Sequence, residues 1–270
     1  MGVAEMLLTG QVDTEAFHRA VEDADDSDVG AMLAMVDHDN PAVRWAIAAN
    51  LPSVGHGDPP SADMVAAGVR LSGDPDPKVR DWACMALGTQ WREVDTDAVR
   101  DALAARLSDD HDDVRCEALV GLAYRRDARA RDAVLAALSR ESGSVWSLEL
   151  EAAGALCDPK LHELVLDHLD GWDDTETADT ADAARRLTDP DGIGNDVVEG
   201  VAELYRRRAH GLAEGDALTA SQTMWRLLDI APHRAVEFYD AVAARLKGDS
   251  AATYQLRERS SLAQLAADVR

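Results

Sequence analysis

Aromatic residues make up only 4% of this 270-residue chain, and six of the twelve are tryptophan. Cysteine is scarcer still. Cys84, Cys116 and Cys157 are odd in number and none stands in a C-x-x-C spacing, which argues against a disulfide scaffold or a zinc ribbon. Lysine occurs at only three positions, 78, 160 and 247, so nearly all 27 basic residues are arginine. They face 51 acidic residues, and the net charge is −24. A nucleic-acid binder needs a basic surface, because phosphate neutralisation dominates its affinity, so composition argues against that class. No apolar run approaches the roughly 18 residues of a membrane span. The N-terminus lacks a basic stretch followed by a hydrophobic one, so no secretion signal is expected. A reduced, cytoplasmic protein is the expectation. The motifs H-E-x-x-H, Gly-Lys phosphate loop, G-x-S-x-G and G-x-G-x-x-G are also missing.

What is present is a chain 46% hydrophobic and 29% charged, the composition of a folded protein. Its acid is mostly aspartate, 36 Asp to 15 Glu, and it is unevenly spread. Residues 191–270 carry 10 Lys+Arg and 12 Asp+Glu, net −2, which leaves −22 on residues 1–190. Salt adaptation accounts for the total. It does not account for the asymmetry, which instead suggests a basic partner for the acidic part.

Three segments superimpose without gaps. They run from Asn40 to Leu51, from Asp76 to Leu87 and from His111 to Leu122. Each has Val-Arg at its fourth and fifth positions and Leu at its twelfth. The anchors Val43, Val79 and Val114 are 36 and 35 residues apart, and a weaker fourth copy follows 34 residues later at Leu148, with Glu149 in the Arg position. Amphipathic stretches at Val29–Val36, Met64–Leu71, Val99–Leu107 and Leu161–Leu169 follow the i, i+3, i+4, i+7 rule, with a slip in the last two. Asp-rich turns join the stretches, with Pro41 and Pro77 suited to a first helical turn and Asn40 and Asp76 suited to cap it. The unit is helix–turn–helix, about 35 residues long, and the expected fold is all-α.

The D-x-[DN]-P-x-V-R pattern, Asp74, Asp76, Pro77, Val79 and Arg80 in copy two, resembles the HEAT repeat family, in particular the bacterial and archaeal HEAT-like repeats also found in phycobilisome lyases. The resemblance covers residues 27–157 well and 158–190 weakly. It implies a right-handed α-solenoid of the armadillo type, with second helices lining a concave face, and a role as a scaffold for other macromolecules. The expected organisation is an N-terminal capping helix over 1–26, a repeat array over 27–190 and a helical C-terminal cap over 191–270. Four helices are expected in that cap, at 197–212, 217–230, 232–246 and 251–269, because terminal units must cover an apolar end.

Arg44, Arg80 and Arg115 form a column at repeat spacing. The resemblance implies a structural ladder in which each bonds turn carboxylates; anion capture is the alternative. The turn acids Asp37, Asp39, Asp74, Asp76, Asp109, Asp110, Asp112 and Asp113 recur once per unit and define one edge. That edge is either a solvated, helix-capping face or a docking strip for a basic protein partner. Trp45 and Trp82 lie two and three residues after their Val anchors, out of register, so at least one is expected to be partly exposed; packing between units is the expected role and anchoring a partner the alternative. The cysteines read as small core residues. Tyr124-Arg-Arg and Tyr205-Arg-Arg-Arg208 are the two clusters that phosphate could contact. No metal site is expected, since the EF-hand pattern is absent and only His162-Glu163 matches the His-Glu pairs that hold iron in deoxyhypusine hydroxylase, which this architecture resembles. HEAT-like DNA glycosylases need a basic groove that the charge contradicts; a bilin lyase has no short signature to test. The expectation is a non-catalytic protein-binding scaffold without cofactors, the alternative being a HEAT-like enzyme or nucleic-acid-binding protein.

Overall fold

The computed structural model describes residues 2–3, 5–6, 14–54, 59–141, 144–169, 175–192 and 194–269. Every regular element among these residues is a helix, with no strand among them. They form two compact units, Met1–Val134 and Leu135–Arg270. The division falls inside the repeat array, whereas the sequence suggested boundaries after 26 and 190. Trp172 and part of the 1–26 capping segment lie outside the described residues.

In the first unit, α1 (Thr14–Glu22) packs on α3 (Pro41–Asn50), α3 on α5 (Pro77–Met85) and α5 on α7 (Asp112–Tyr124). A second row holds α2 (Val29–Leu33), α4 (Ala62–Leu71) and α6 (Asp97–Ala104), also in succession. This is the stacking of an α-solenoid, each helix pair repeating the one before. The anchors Val43, Val79 and Val114 are fully buried in equivalent places. Asn40 and Asp76 accept the Ala42 and Lys78 amides at 3.0 and 2.9 Å, with Pro41 and Pro77 at the first helical position. Their side chains stop the chain from beginning the helix earlier and satisfy free amides there. The first helix α2 is shorter than its stripe: after Leu33 the chain turns through residues 34–37.

After Met85 the chain widens into a π turn, Ala86–Gln90. Gly88 lies in that turn against Gly121 of α7, so close that a Cβ on Gly121 would stand 2.5 Å from the Gly88 Cα. Arg125, buried at the end of α7, fills the space below the turn. It donates to the carbonyls of Leu87 (2.7 Å), Trp91 (3.0 Å), Gly121 (2.8 Å) and Val94 (2.9 Å). Burial pushes its pKa down to about 10.

α8 (Ala128–Leu138) contains the division between the units. In the second unit, α9 (Ser147–Leu156) packs on α11 (Thr175–Thr188), and α10 (His162–Leu166) covers α11. Of the four expected terminal helices, α12 (Asn195–Ala209), α13 (Ala217–Ile230) and α14 (Ala235–Arg245) are single elements. The last is two helices, α15 (Ser250–Arg259) and α16 (Ser261–Val269), because Ser260 is extended at φ −110°, ψ 139°. α12 packs on α13, α14 and α15. Phe238, Val242, Leu246, Leu256 and Leu262 are fully buried in this unit.

Candidate functional site

The arginine column is a two-rung ladder that steps from each helix pair to the next. The Arg44 guanidinium grips Asp74 with two bonds, Nε to Oδ2 at 2.6 Å and Nη2 to Oδ1 at 2.9 Å. Arg80 grips Asp109 the same way, at 2.8 and 2.7 Å. The remaining Nη1 of each arginine donates to the carbonyl six residues earlier: His38 for Arg44, Asp74 for Arg80 and Asp109 for Arg115, at 2.6, 2.9 and 2.5 Å. Bidentate pairing fixes the angle between successive units as well as neutralising the charge. Arg115 makes no third rung; its other bond is to Asp112 on its own helix. The sequence explains why. At the position of Asp74 and Asp109 the fourth copy has Gly143, and Glu149 stands where the arginine would be. Glu149 instead pairs with Arg140 and accepts the Trp146 amide.

The turn carboxylate that Arg80 meets is Asp109 of the following unit, while its own turn supplies the Asp74 carbonyl. The expected acidic strip is corrected at two positions: Asp74 and Asp109 are not exposed, their side chains being 6% and 3% accessible and enclosed by arginine and turn amides. The Arg80 guanidinium holds the Asp109 carboxyl below its usual range. At Asp74, burial pushes upward, but Arg44 and the Asp76 amide outweigh it. The acids left on the outside are Asp39, Asp110, Asp112 and Asp113, with Asp76 half-buried as a cap. Asp37 is exposed and pairs with Arg70. Among the described residues, no cation forms an ion pair with Asp39, Asp110 or Asp113.

Trp45 and Trp82 meet edge to face, with ring centroids 6.2 Å apart and planes at 87°. The one-residue offset noted in the sequence brings them together, because their helices are neighbours. The His18 ring of α1 lies tilted against Trp45, with centroids 5.1 Å apart, and donates from Nε2 to the Ala42 carbonyl. Both indoles are half-buried. They floor an open groove of about 640 Å³ that crosses α3, α5 and the start of α7. Its other lining groups include Pro41, the carboxylates of Asp76, Asp81 and Asp113, and Lys78. Asp81 was not picked out from the sequence, although it sits beside Trp82 in the column that holds Trp45 one repeat earlier. Burial, and then the Asp113 carboxylate, hold the Asp81 carboxyl above its usual range.

In the Tyr-Arg clusters Arg126 is exposed, and the other arginines are engaged within the protein. Arg125 is buried against carbonyls, and Arg206, Arg207 and Arg208 pair with Glu199, Glu203 and Glu214. Cys84 and Cys116 are buried core residues, whereas Cys157 is the left-handed cap of α9 at φ +48°. Trp91 is buried; Trp146 and Trp225 are exposed. No group of three or more metal-ligating side chains converges among the described residues. No helix there is long and apolar enough to cross a membrane.

Residues 29–115 match the family model for HEAT repeats. Protein YibA of Escherichia coli K12 is 33% identical over 113 residues, as is YibA of Escherichia coli O157:H7. The match spans 42% of this chain and 39% of those relatives, so the chain covers about two fifths of their length. The X-ray structure of Escherichia coli YibA is similar in fold, with a TM-score of 0.53, 23% identity, and coverage of 68% of this chain and 66% of that one. The buried Val anchors and the Arg–Asp rungs coincide with the matched segment, and residues 29–115 of this chain are HEAT repeats.

Proposed function

We propose that the chain is a non-catalytic scaffold that binds a basic protein partner through the face and turn edge of its first unit. The observation that carries this reading is how the charge is distributed within each repeat. The repeat's own arginines are spent on buried carboxylates, Arg44 on Asp74 and Arg80 on Asp109. The outer acids Asp39, Asp110 and Asp113 are exposed and form no ion pair among the described residues, so they project negative charge. A field of one sign speeds encounter with an oppositely charged partner and weakens as salt screens it over about 10 Å at 0.1 M.

The test is affinity capture from the source cell with the whole chain, followed by binding measurements with the purified partner. Wild type is compared with a variant carrying Asp39→Asn, Asp110→Asn and Asp112→Asn. Asp109 is left intact because it belongs to the ladder. Wild-type affinity should fall between about 50 and about 500 mM salt, and the variant should bind more weakly with a shallower salt slope. A partner bound equally by both proteins across that range would refute the reading.

A further inference from the structure

The groove across α3, α5 and α7 differs in kind from the turn edge. The edge is exposed charge in water, where a carboxylate holds a cation weakly and without geometry. The groove sets carboxylates around two half-buried indoles that meet at right angles. Such a corner is suited to a cation carried on an apolar stem. The ring faces attract the charge and cover the methylenes, and the carboxylates add direction.

We infer that the Trp45–Trp82 groove is the docking site for a lysine or arginine side chain of a basic peptide segment, ringed by Asp76, Asp81 and Asp113. This rests on the partner-binding reading above and names the place where that partner is gripped. Charge complementarity selects the occupant: three carboxylates line the groove against one ammonium, that of Lys78. Neither Asp81 nor Asp113 is ion-paired among the described residues, although each lies in a helix whose repeat arginine is already engaged elsewhere. Asp81 is half-buried beside a second carboxylate, an arrangement that disfavours its charge until a cation arrives. The groove is open to solvent, as a peptide side chain requires, and its lining comes from three successive repeats.

The experiment titrates the whole chain into fluorescein-labelled hexalysine and reads anisotropy at about 50 mM salt. The groove variants are Asp81→Asn with Asp113→Asn, Trp82→Leu, and Trp82→Phe, which keeps an aromatic face. The edge variant is the Asp39, Asp110 and Asp112 triple above. Thermal melts check folding; the Asp81→Asn, Asp113→Asn pair should be no less stable than wild type, since it removes a repulsive, partly desolvated pair. The double variant and Trp82→Leu should each weaken binding at least about fivefold, and Trp82→Phe should stay within about threefold of wild type. If the edge triple weakens hexalysine binding while the groove variants do not, the groove assignment fails and the basic-partner reading stands. If hexalysine does not bind at all, both fail. Tetramethylammonium chloride binding as tightly as the peptide would overturn the peptide assignment in favour of a small cation site.

Discussion

Arg80 and Arg115 occupy the same position of the repeat and differ in what their loss would expose. Removing the Arg80 side chain leaves the Asp109 carboxylate, 3% accessible, without its bidentate partner, and strips a donor from the Asp74 carbonyl. Breaking a buried pair from one side costs about 3–5 kcal/mol, because the orphaned charge stays desolvated. Arg106, 3.4 Å from Asp109, offsets part of that. Arg115 pairs with an exposed carboxylate on its own helix, an arrangement worth at most about 1 kcal/mol. Arg80→Ala should therefore lower Tm by several degrees more than Arg115→Ala in calorimetry at pH 7. The pH dependence has a definite sign. Asp74 and Asp109 have depressed carboxyl pKa values in the folded state, so their contribution is complete above the unfolded value near 3.9 and is lost as pH falls through the folded one. Wild type should lose stability below about pH 4, and Arg80→Ala should lose less over the same interval. Equal melting temperatures for Arg80→Ala and Arg115→Ala would remove the distinction between rung and surface pair.

Between elements, a close approach in the first unit is made by two glycines, Gly88 and Gly121, whose significance is not visible in isolation. Val-Arg and Leu at the twelfth position mark each of the three helices, and in the first two copies a capping Asn or Asp followed by Pro fixes the start, because those features act locally through caps, missing donors and spacing. The fold class was legible for that reason. The π turn at Ala86–Gln90 was not, since it depends on a contact between Gly88 and Gly121, 33 residues apart in sequence. Arg125 was misread on the same ground: a Tyr-Arg-Arg run resembles a surface patch until the end of α7 is known to lie beneath the carbonyls of the preceding unit. The site divides likewise. The Arg column is a property of the repeat and could be read, but which carboxylate each guanidinium meets depends on how far the units step. The Trp45 and Asp81 column lies inside the aligned segments, two residues past each Val, and was legible there. Gly121→Ala tests the close approach. Its Cβ would meet Gly88 backbone, which has no flexible end to yield, so the helices must separate. The expected cost is about 1–3 kcal/mol, read as a lower denaturation midpoint. A midpoint unchanged from wild type would mean that the π turn relaxes without loss.

Across the whole molecule, a net charge of −24 opposes compaction, and the ion pairs divide into those salt can reach and those it cannot. The ladder arginines are 12% and 11% accessible and their partners less, so added salt leaves the rungs largely intact. The unpaired acids are exposed, Asp39, Asp110 and Asp113 among them, and their repulsion is screened within about 10 Å at 0.1 M salt. Surface pairs such as Arg208–Glu214 are screened too, but each is worth little. Repulsion therefore sets the sign. Raising sodium chloride from about 20 to about 500 mM at pH 7 should raise Tm, by about 2–4 °C for each kcal/mol of repulsion relieved. The Asp39→Asn, Asp110→Asn double variant, which touches no ion pair among the described residues, isolates the cause. It should melt above wild type at low salt, and the two curves should converge as the chloride concentration rises. Convergence separates screening of these particular acids from a general effect of salt on apolar burial, which would shift both proteins in parallel. A Tm that falls with added salt would instead make the exposed ion pairs the dominant electrostatic contribution, and the acidic face would then be a stabilising network rather than an uncompensated field.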